Sequence, residues 1–483
     1  MKERKLNLAT DYYQLSVGNV YFQCGMQDNI GVFDIFIRRN PFKGGYTVFA
    51  GTEQIVEYIS SLHFDDDDIA MLRKNHPELC EEYLEYLRNF KFTGDIYAVK
   101  EGEIVFPQEP LVRVKAPMPQ AHIVETALLA IVNHEALIAT KASRVCAAAN
   151  GDSVLDFGMR RAHGNEAGLF AARAAIIGGC SGTSNVEAEY RFDVVSKGTM
   201  SHAYVMSFES EYEAFEKFAE FNPGNVVVLL DTYDTLNSGL PNAIKLFKKL
   251  REEGKLNGLY GIRMDSGDMA YFSKKIREAF DAEGFTDAVI SASSDLDEYL
   301  ISDLKAQGAK INMWGVGTKM ITAFDCPALG GVYKLSELTD KDGVKHPKIK
   351  ISDDPVKITN PGFKKIVRII SNKTNKAMAD VIALDDEVID ENKPLEIYHP
   401  LFSYKKQTLE DFHCEELYEC IYKDGELCYE LKPVKEIAEY HKSQRKIFWE
   451  GYLRFTNPEE YKVDLSDKLY DLKKKLIAEH TFK

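Results

Sequence analysis

A chain of 483 residues is too long for one small core, so two or more domains are the default, one of them large enough to be a barrel. The formal charge of −15, with no basic block, excludes a surface built for nucleic acid or an anionic membrane, so any anionic ligand must be held by a local cluster of cations or backbone N–H groups. Eight cysteines without a CxxC pair, an N-terminus (MKERKLNLATDYYQL) without the apolar core of a signal peptide, and no apolar run approaching a membrane span point to the cytoplasm and reduced thiols.

Residues 1–120 mix strands (IGVFDIFI, 30–37; GDIYAVKEGEIVF, 94–106) with helices (GTEQIVEYISSL, 51–62, and a longer one after DDDD at 65–68). The acidic run is read as a helix N-terminus, capped and charged to suit the dipole. From about Ser153 to Thr318 one theme recurs at roughly 30-residue spacing: an apolar strand, a polar burst, then an amphipathic helix. The strands are expected at 154–158, ending near 203, and at 226–234, 259–268, 288–296 and 311–319. NAIKLFKKLREEG (242–254) and MAYFSKKIREAFDAEG (269–284) read as helices closed by glycine. After about residue 335 come strands at 364–371 and 378–385, a hairpin with a DG turn at 420–431, and closing amphipathic helices. The expected class is α/β: an irregular parallel (β/α) barrel over residues 121–335, inserted in an α+β domain formed by segments 1–120 and 336–483.

Each barrel strand carries polar residues at its C-terminal end: Asp156 and Arg160, His202, Asp231 and Asp234, Arg263 and Asp265, Ser294 and Asp295, then Gly315 to Lys319. In a (β/α) barrel those ends converge on the face where active sites are built. GVGTKM (315–320) offers glycines that let backbone N–H groups approach an anion, as a late-strand phosphate loop does; a plain tight turn is the alternative. RMDSGD (263–268) is either a salt-bridged, helix-capping loop or a group in which Arg263 meets a phosphate and Asp265 a sugar hydroxyl or magnesium. With DTYDT one strand earlier, Asp231 and Asp265 could share one Mg²⁺. DFGMRRAHG (156–164) places Phe157 beside Arg160 and Arg161, a stacking face and a cationic fork suited to a flat anionic ring. Tyr12 and the pair Arg38 and Arg39 add a further aromatic and further cations.

TDYYQL, FIRRNPFKGGY, LDFGMRRAHG, GTSNVEA, GTMSHAYVMSF, LLDTYDT, RMDSGD and WGVGTKM stand in the order and spacing of the nicotinate phosphoribosyltransferases, which the chain resembles from residue 10 to about 335. The resemblance implies NAD salvage chemistry: nicotinate and phosphoribosyl pyrophosphate give nicotinate mononucleotide and diphosphate, with ATP as co-substrate and Mg²⁺ as cofactor. It implies that His202 is the residue phosphorylated by ATP, a role suited to a ring nitrogen that is neutral near pH 7. It further implies Tyr12 and Phe157 as the two faces of a pyridine sandwich, with Tyr12 supplied by the neighbouring subunit of a homodimer. Arg160 then contacts the carboxylate or diphosphate, and Gly315, Gly317 and Thr318 cradle the 5′-phosphate. Asp231, Arg263 and Asp265 serve ribose, phosphate and magnesium, Lys141, Ser143 and Arg144 are candidates for binding the diphosphate, and Arg38 is a further candidate for binding substrate. Ser184, where nicotinamide-specific relatives carry aspartate, favours the acid over the amide.

Other readings stay open at this stage. These are a nicotinamide-specific enzyme, a non-catalytic relative that kept the fold, and a sugar-phosphate isomerase needing no ring site. His413, Cys414, Cys420 and Cys428 have poor spacing for Zn²⁺, and Cys420 and Cys428 fit better as strand residues flanking the hairpin.

Overall fold

A computed structural model describes residues 4–402 and 404–480. The chain divides into two compact units, unit 1 (Met1–Leu137, Ala328–Lys432 and Tyr440–Lys483) and unit 2 (Ile138–Pro327 and Pro433–Glu439).

Unit 2 is built on six parallel strands: β1 (Ser153–Asp156), β2 (Gly182–Thr183), β3 (Asn225–Leu229), β4 (Leu259–Met264), β5 (Val289–Ser294) and β6 (Met313–Val316). Their order is β2-β1-β6-β5-β4-β3, so β2 and β3 remain edges and the barrel is an open half-barrel. Val227, Val228, Ile262 and Ala292 are buried, as strands covered on both faces require. Helices Leu240–Glu252, Met269–Ala282 and Glu298–Ala306 follow β3, β4 and β5. In the first of these Ala243, Leu246, Phe247 and Leu250 are buried at helical spacing. Several strand-end acids turn out to be caps: Asp234, Asp268 and Asp297 each accept backbone N–H groups at the start of the next helical segment.

The strand expected to end near residue 203 does not form. Residues 194–201 touch the sheet through one bridge, Thr183 to Ser196, and His202 opens a short helix, His202–Met206, capped by Ser201. The small polar residues of SKGTMS give a strand little to bury, while the apolar residues after His202 recur at helical spacing. One stretch also proves long and apolar enough to cross a membrane, Met118–Ala149, but 67% of its apolar window is buried inside the protein, as in a core helix.

Unit 1 draws on both flanks of the chain. An antiparallel seven-stranded sheet runs Lys345–Pro347, Val332–Thr339, Ile30–Phe36, Val112–Pro117, Asp95–Val99, Tyr418–Lys423 and Glu426–Leu427. A six-stranded sheet has Lys364–Ser371 and Ala377–Leu384 as its longest strands, close to the strands expected there. The acidic run at 65–68 caps a helix as expected, with a reciprocal Asp65–Asp68 box. Arg368 is fully buried in unit 1. It forks onto Asp380 at 2.9 and 2.7 Å and meets Glu103 at 2.5 Å, while Tyr461 and Tyr440 donate to the same carboxylates. Such a charge cluster holds only while every partner is present.

Two histidines, His441 buried and His122 half-buried, make unit 1 sensitive to acid. His122 packs against Phe33 and bonds Gln14, and His441 Nδ1 donates to Gly102 O. Burial pulls His122 down to about 4 and His441 to about 3. An unfolded histidine titrates near 6.5, so between these values the unfolded chain binds more protons than the folded one. Stability is therefore full above about pH 6.5 and falls as pH drops toward 4, by on the order of 3 kcal/mol per ring. Urea midpoints measured from pH 7 to pH 4.5 are expected to fall, and His122→Gln or His441→Asn is expected to flatten that slope.

Candidate functional site

The carboxyl ends of the unit 2 strands open into a cavity of about 1360 Å³. Its ring end is assembled around Asp156, the last residue of β1. That carboxylate is fully buried, which pushes its pKa up, and it accepts from Thr183 Oγ1 at 2.8 Å and Gly158 N at 2.9 Å. Its backbone oxygen accepts from Ser184 N at 2.7 Å. Asp156 thereby fixes the two loops that carry Phe157 and Ser184 into the cavity wall.

Phe157 is also anchored from the next strand, its N–H donating to Val316 O at 2.8 Å. Its ring lies so close over β6 that a Cβ built on Gly315 would stand 2.6 Å from Phe157 Cδ2. A side chain at 315 would displace the ring, so this glycine is fixed by an aromatic platform as well as by any phosphate. Arg160, Gly317 and Thr318 line the same cavity.

The other end is ionic. Arg263 Nη1 donates to Thr199 Oγ1 at 2.6 Å, while its Nε is buried without a partner among the described residues. Burial pulls its pKa down, and the charges of Asp265 and Asp231 oppose that. Asp265 Oδ1 accepts from Ser293 Oγ at 2.5 Å. Asp231 Oδ2 accepts from Ser266 Oγ at 2.6 Å and from Asp265 N at 3.1 Å. Asp231 Oδ1 is buried and unpartnered among the described residues. An orphaned carboxylate oxygen beside a second carboxylate fits a hard divalent cation that completes its shell with phosphate oxygens and water. His202 stands beside them, with Nδ1 3.3 Å from Thr232 Oγ1 and Nε2 4.0 Å from Asp265 Oδ2. Its side chain is 40% exposed, open to a reactant.

Phe157, Arg160, Ser184, Arg263, Asp265, Gly315, Gly317 and Thr318 thus line one cavity, with His202 and Asp231 in contact with that group. Lys141 is not in the lining. Its ammonium is buried between Glu298 at 2.8 Å and Asp325 at 2.7 Å, and Arg144 shares Glu298 at 2.8 Å. Those charges are committed to a buried network, and Ser143 is buried as well, so none of the three stands among the residues that line this cavity. Tyr12 and Arg38 belong to unit 1. The Tyr12 ring stacks on His76 at 4.2 Å and its hydroxyl donates to Glu78. Thr199, Thr232, Ser266 and Ser293 were not singled out from sequence. Ser293 alone carried a signal, since strand alternation turns 291 and 293 to one face.

Five cations (Arg160, Arg161, Lys197, Lys217, Arg263) face this cavity against two carboxylates (Asp265, Asp295), an anion-binding balance in an acidic chain. Residues 153–381 match the model of the nicotinate phosphoribosyltransferase (NAPRTase) family. Residues 8–133 match the N-terminal domain of the same enzyme, and 363–473 its C-terminal domain. The nicotinate phosphoribosyltransferase of Bacillus subtilis is 46% identical over 478 residues, covering 99% of this chain and 96% of that one. The chain belongs to the nicotinate phosphoribosyltransferase family. The nicotinate phosphoribosyltransferase of Caenorhabditis elegans is 34% identical, covering 96% of this chain and 92% of its own length. Among solved structures of the family, human nicotinic acid phosphoribosyltransferase superposes with a TM-score of 0.85 at 26% identity, over 97% of this chain and 99% of that one. A nicotinate-nucleotide pyrophosphorylase from Pyrococcus furiosus shares the fold, with a TM-score of 0.69 at 22% identity over 92% and 97% of the two chains.

The fit between Phe157 and Gly315 can be tested without substrate. Gly315→Ala is expected to destabilise unit 2 by about 1–3 kcal/mol through overpacking. In the background of Phe157→Ala the same change should cost far less, so urea denaturation of the double-mutant cycle should show a coupling of about 1 kcal/mol or more.

Proposed function

We propose that the cavity of unit 2 transfers the phosphoribosyl group of phosphoribosyl pyrophosphate to nicotinate, and that ATP drives the reaction through a phosphohistidine at His202. The observation that carries this reading is the pairing, in one cavity, of a rigid aromatic platform beside an arginine with a carboxylate–arginine cluster that touches a half-exposed histidine.

Phe157 offers the pyridine a flat face, and Arg160 offers its carboxylate or the diphosphate a cationic fork. Ser184 presents a hydroxyl where a negative side chain would repel the acid, which favours nicotinate over nicotinamide. The N–H groups from Gly315 to Thr318, at the start of the helix Thr318–Ile321, suit the 5′-phosphate. In the transfer, the lone pair of the ring nitrogen forms a bond to C1 of the ribose. The C1–O bond breaks at the same carbon, and its electron pair leaves with diphosphate. The carbon passes through an oxocarbenium-like state, so the protein contributes mainly alignment of the ring nitrogen and cationic stabilisation of the leaving group by Arg263. Bound magnesium would be held by Asp231 and Asp265 with the substrate phosphates and would supply neutralising charge there.

For ATP coupling, His202 must present one nitrogen as a nucleophile. Nδ1–H donating to Thr232 Oγ1 leaves the Nε2 lone pair free. Nε2 bonds the terminal phosphorus of ATP, ADP leaves with the broken P–O pair, and water later releases phosphate. In a homodimer Tyr12 of one subunit would supply the second face of the ring sandwich in the other, since Phe157 lies in unit 2 and Tyr12 in unit 1.

Steady-state formation of mononucleotide from nicotinate and from nicotinamide, with and without ATP, tests this. Nicotinate is expected to be preferred by at least about tenfold, with ATP raising turnover. His202→Ala should lose the ATP stimulation and the acid-labile phosphate while keeping ATP-independent transfer within about tenfold of wild type. Preference for nicotinamide, or ATP stimulation that survives in His202→Ala, would overturn the corresponding part of the proposal.

A further inference from the structure

Outside the cavity, two thiols stand against each other. Cys420 Sγ and Cys428 Sγ are 3.0 Å apart on the two arms of the hairpin that ends the seven-stranded sheet of unit 1. The turn Asp424-Gly425 has positive φ at both residues, 50° and 79°, the form that a two-residue hairpin needs. It sets Tyr422 opposite Leu427 and Lys423 opposite Glu426, and the Cys428 N–H donates to Ile421 O at 3.0 Å. Along its other edge the first arm has a bulge between Cys420 and Tyr422, where Ile421 has no partner on Asp95–Val99. A bulge bends its strand and re-aims the neighbouring side chain, which accounts for Cys420 meeting Cys428 rather than alternating away from it.

The two sulfurs differ in access. Cys428 is exposed, and Cys420 is half-buried, its thiol pushed up to about 12 by burial and by Cys428. A disulfide needs about 2.05 Å between sulfurs, so the pair has only about 1 Å to close, within the reach of side-chain rotation.

We propose that Cys420 and Cys428 are a redox modification site, closing to an intramolecular disulfide by exchange with low-molecular-weight disulfides such as oxidised glutathione. The Cys428 thiolate attacks one sulfur of the small disulfide and releases one small thiolate. Cys420 gives up its proton and attacks the Cys428 sulfur of the mixed disulfide, releasing the second small thiol. Two cysteines are oxidised and one small disulfide is reduced to two thiols. The new bond ties the hairpin arms just before the chain runs on to Pro433, where it re-enters unit 2. A second pair provides an internal comparison. Cys146 and Cys180 have their sulfurs 3.9 Å apart, but Cys146 is half-buried and Cys180 is 4% exposed against Met320 Sδ, so this pair lacks an exposed thiol like Cys428 to start the exchange.

The test uses the reduced full-length protein, treated with excess oxidised glutathione, alkylated under native conditions and mapped by mass spectrometry. The expected result is joint loss of alkylation at Cys420 and Cys428, and a linked peptide lighter by two hydrogens that dithiothreitol reverses, with Cys146 and Cys180 unlinked. Cys420→Ser should stall with glutathione on Cys428, and Cys428→Ser should leave Cys420 reduced; unchanged turnover checks that both variants fold. Wild type that stops at the glutathione adduct, or that keeps Cys420 fully alkylatable, would overturn the proposal.

Discussion

The cavity depends on one buried carboxylate. Among the described residues the Asp156 carboxylate has a threonine hydroxyl and a glycine N–H for partners and no paired cation, so its desolvation is offset only in part, by two hydrogen bonds. Those bonds fix geometry. Thr183 is its register partner on β2, Gly158 begins the loop after Phe157, and its backbone oxygen holds Ser184. With the carboxylate gone, the Thr183 hydroxyl and the Gly158 N–H would lose their acceptor, and the loops bearing Phe157 and Ser184 would be left with backbone bonds alone, to Val316 O and Asp156 O, to set their height above the sheet. The approach of Phe157 to Gly315 then follows, since β1 and β6 pair with Leu155 opposite Gly315 and a ring held at that height leaves no room for a Cβ.

Charge in the cavity opposes charge in the chain. A protein of −15 would repel phosphate-rich ligands, so the cations must be concentrated and kept from local acids. Arg263 illustrates the concentration. Asp265 and Asp231 lie near enough to act on its charge, yet its hydrogen bond goes to Thr199, a neutral partner, and its buried Nε has no partner among the described residues, whereas Lys141 and Arg144 are ion-paired within the fold. The same division applies to acids. Asp234, Asp268 and Asp297 are used up on helix N-termini, while Asp231 keeps an oxygen without a partner among the described residues.

This division marks what sequence could and could not reveal. The strands of the half-barrel were legible because apolar runs bounded by polar bursts have few alternatives, and the DG hairpin because positive φ at two successive residues demands that chemistry. β2, two residues long, carries no periodicity, and the segment before His202 looked extended only because nothing in it looked helical. The ion pairs of Lys141 were not legible because its partners, Glu298 and Asp325, lie more than 150 residues away in sequence, and no local pattern reports such a pairing. The same ion pairs explain why the run Met118–Ala149 did not look like a membrane-length stretch, since its charges interrupt the apolar pattern and are neutralised only in the fold. Capping and ligand-binding aspartates share one local signature, and their difference appears only once the helix start is placed.

The two ends of the cavity are also built to different stabilities. At the ring end, Asp156, Thr183 and Val316 are buried on parallel strands. At the histidine end, the helix His202–Met206 buries only Val205, and His202 makes long contacts, 3.3 Å to Thr232 and 4.0 Å to Asp265. Local opening is cheapest where few apolar contacts are lost, so the second end can rearrange without disturbing the first. That asymmetry matches the proposed chemistry. A planar ring gains from a platform that does not move, whereas a residue that must receive a phosphoryl group and then surrender it to water has to meet different partners in turn. Packing His202 as tightly as Phe157 would favour one of those encounters at the expense of the others.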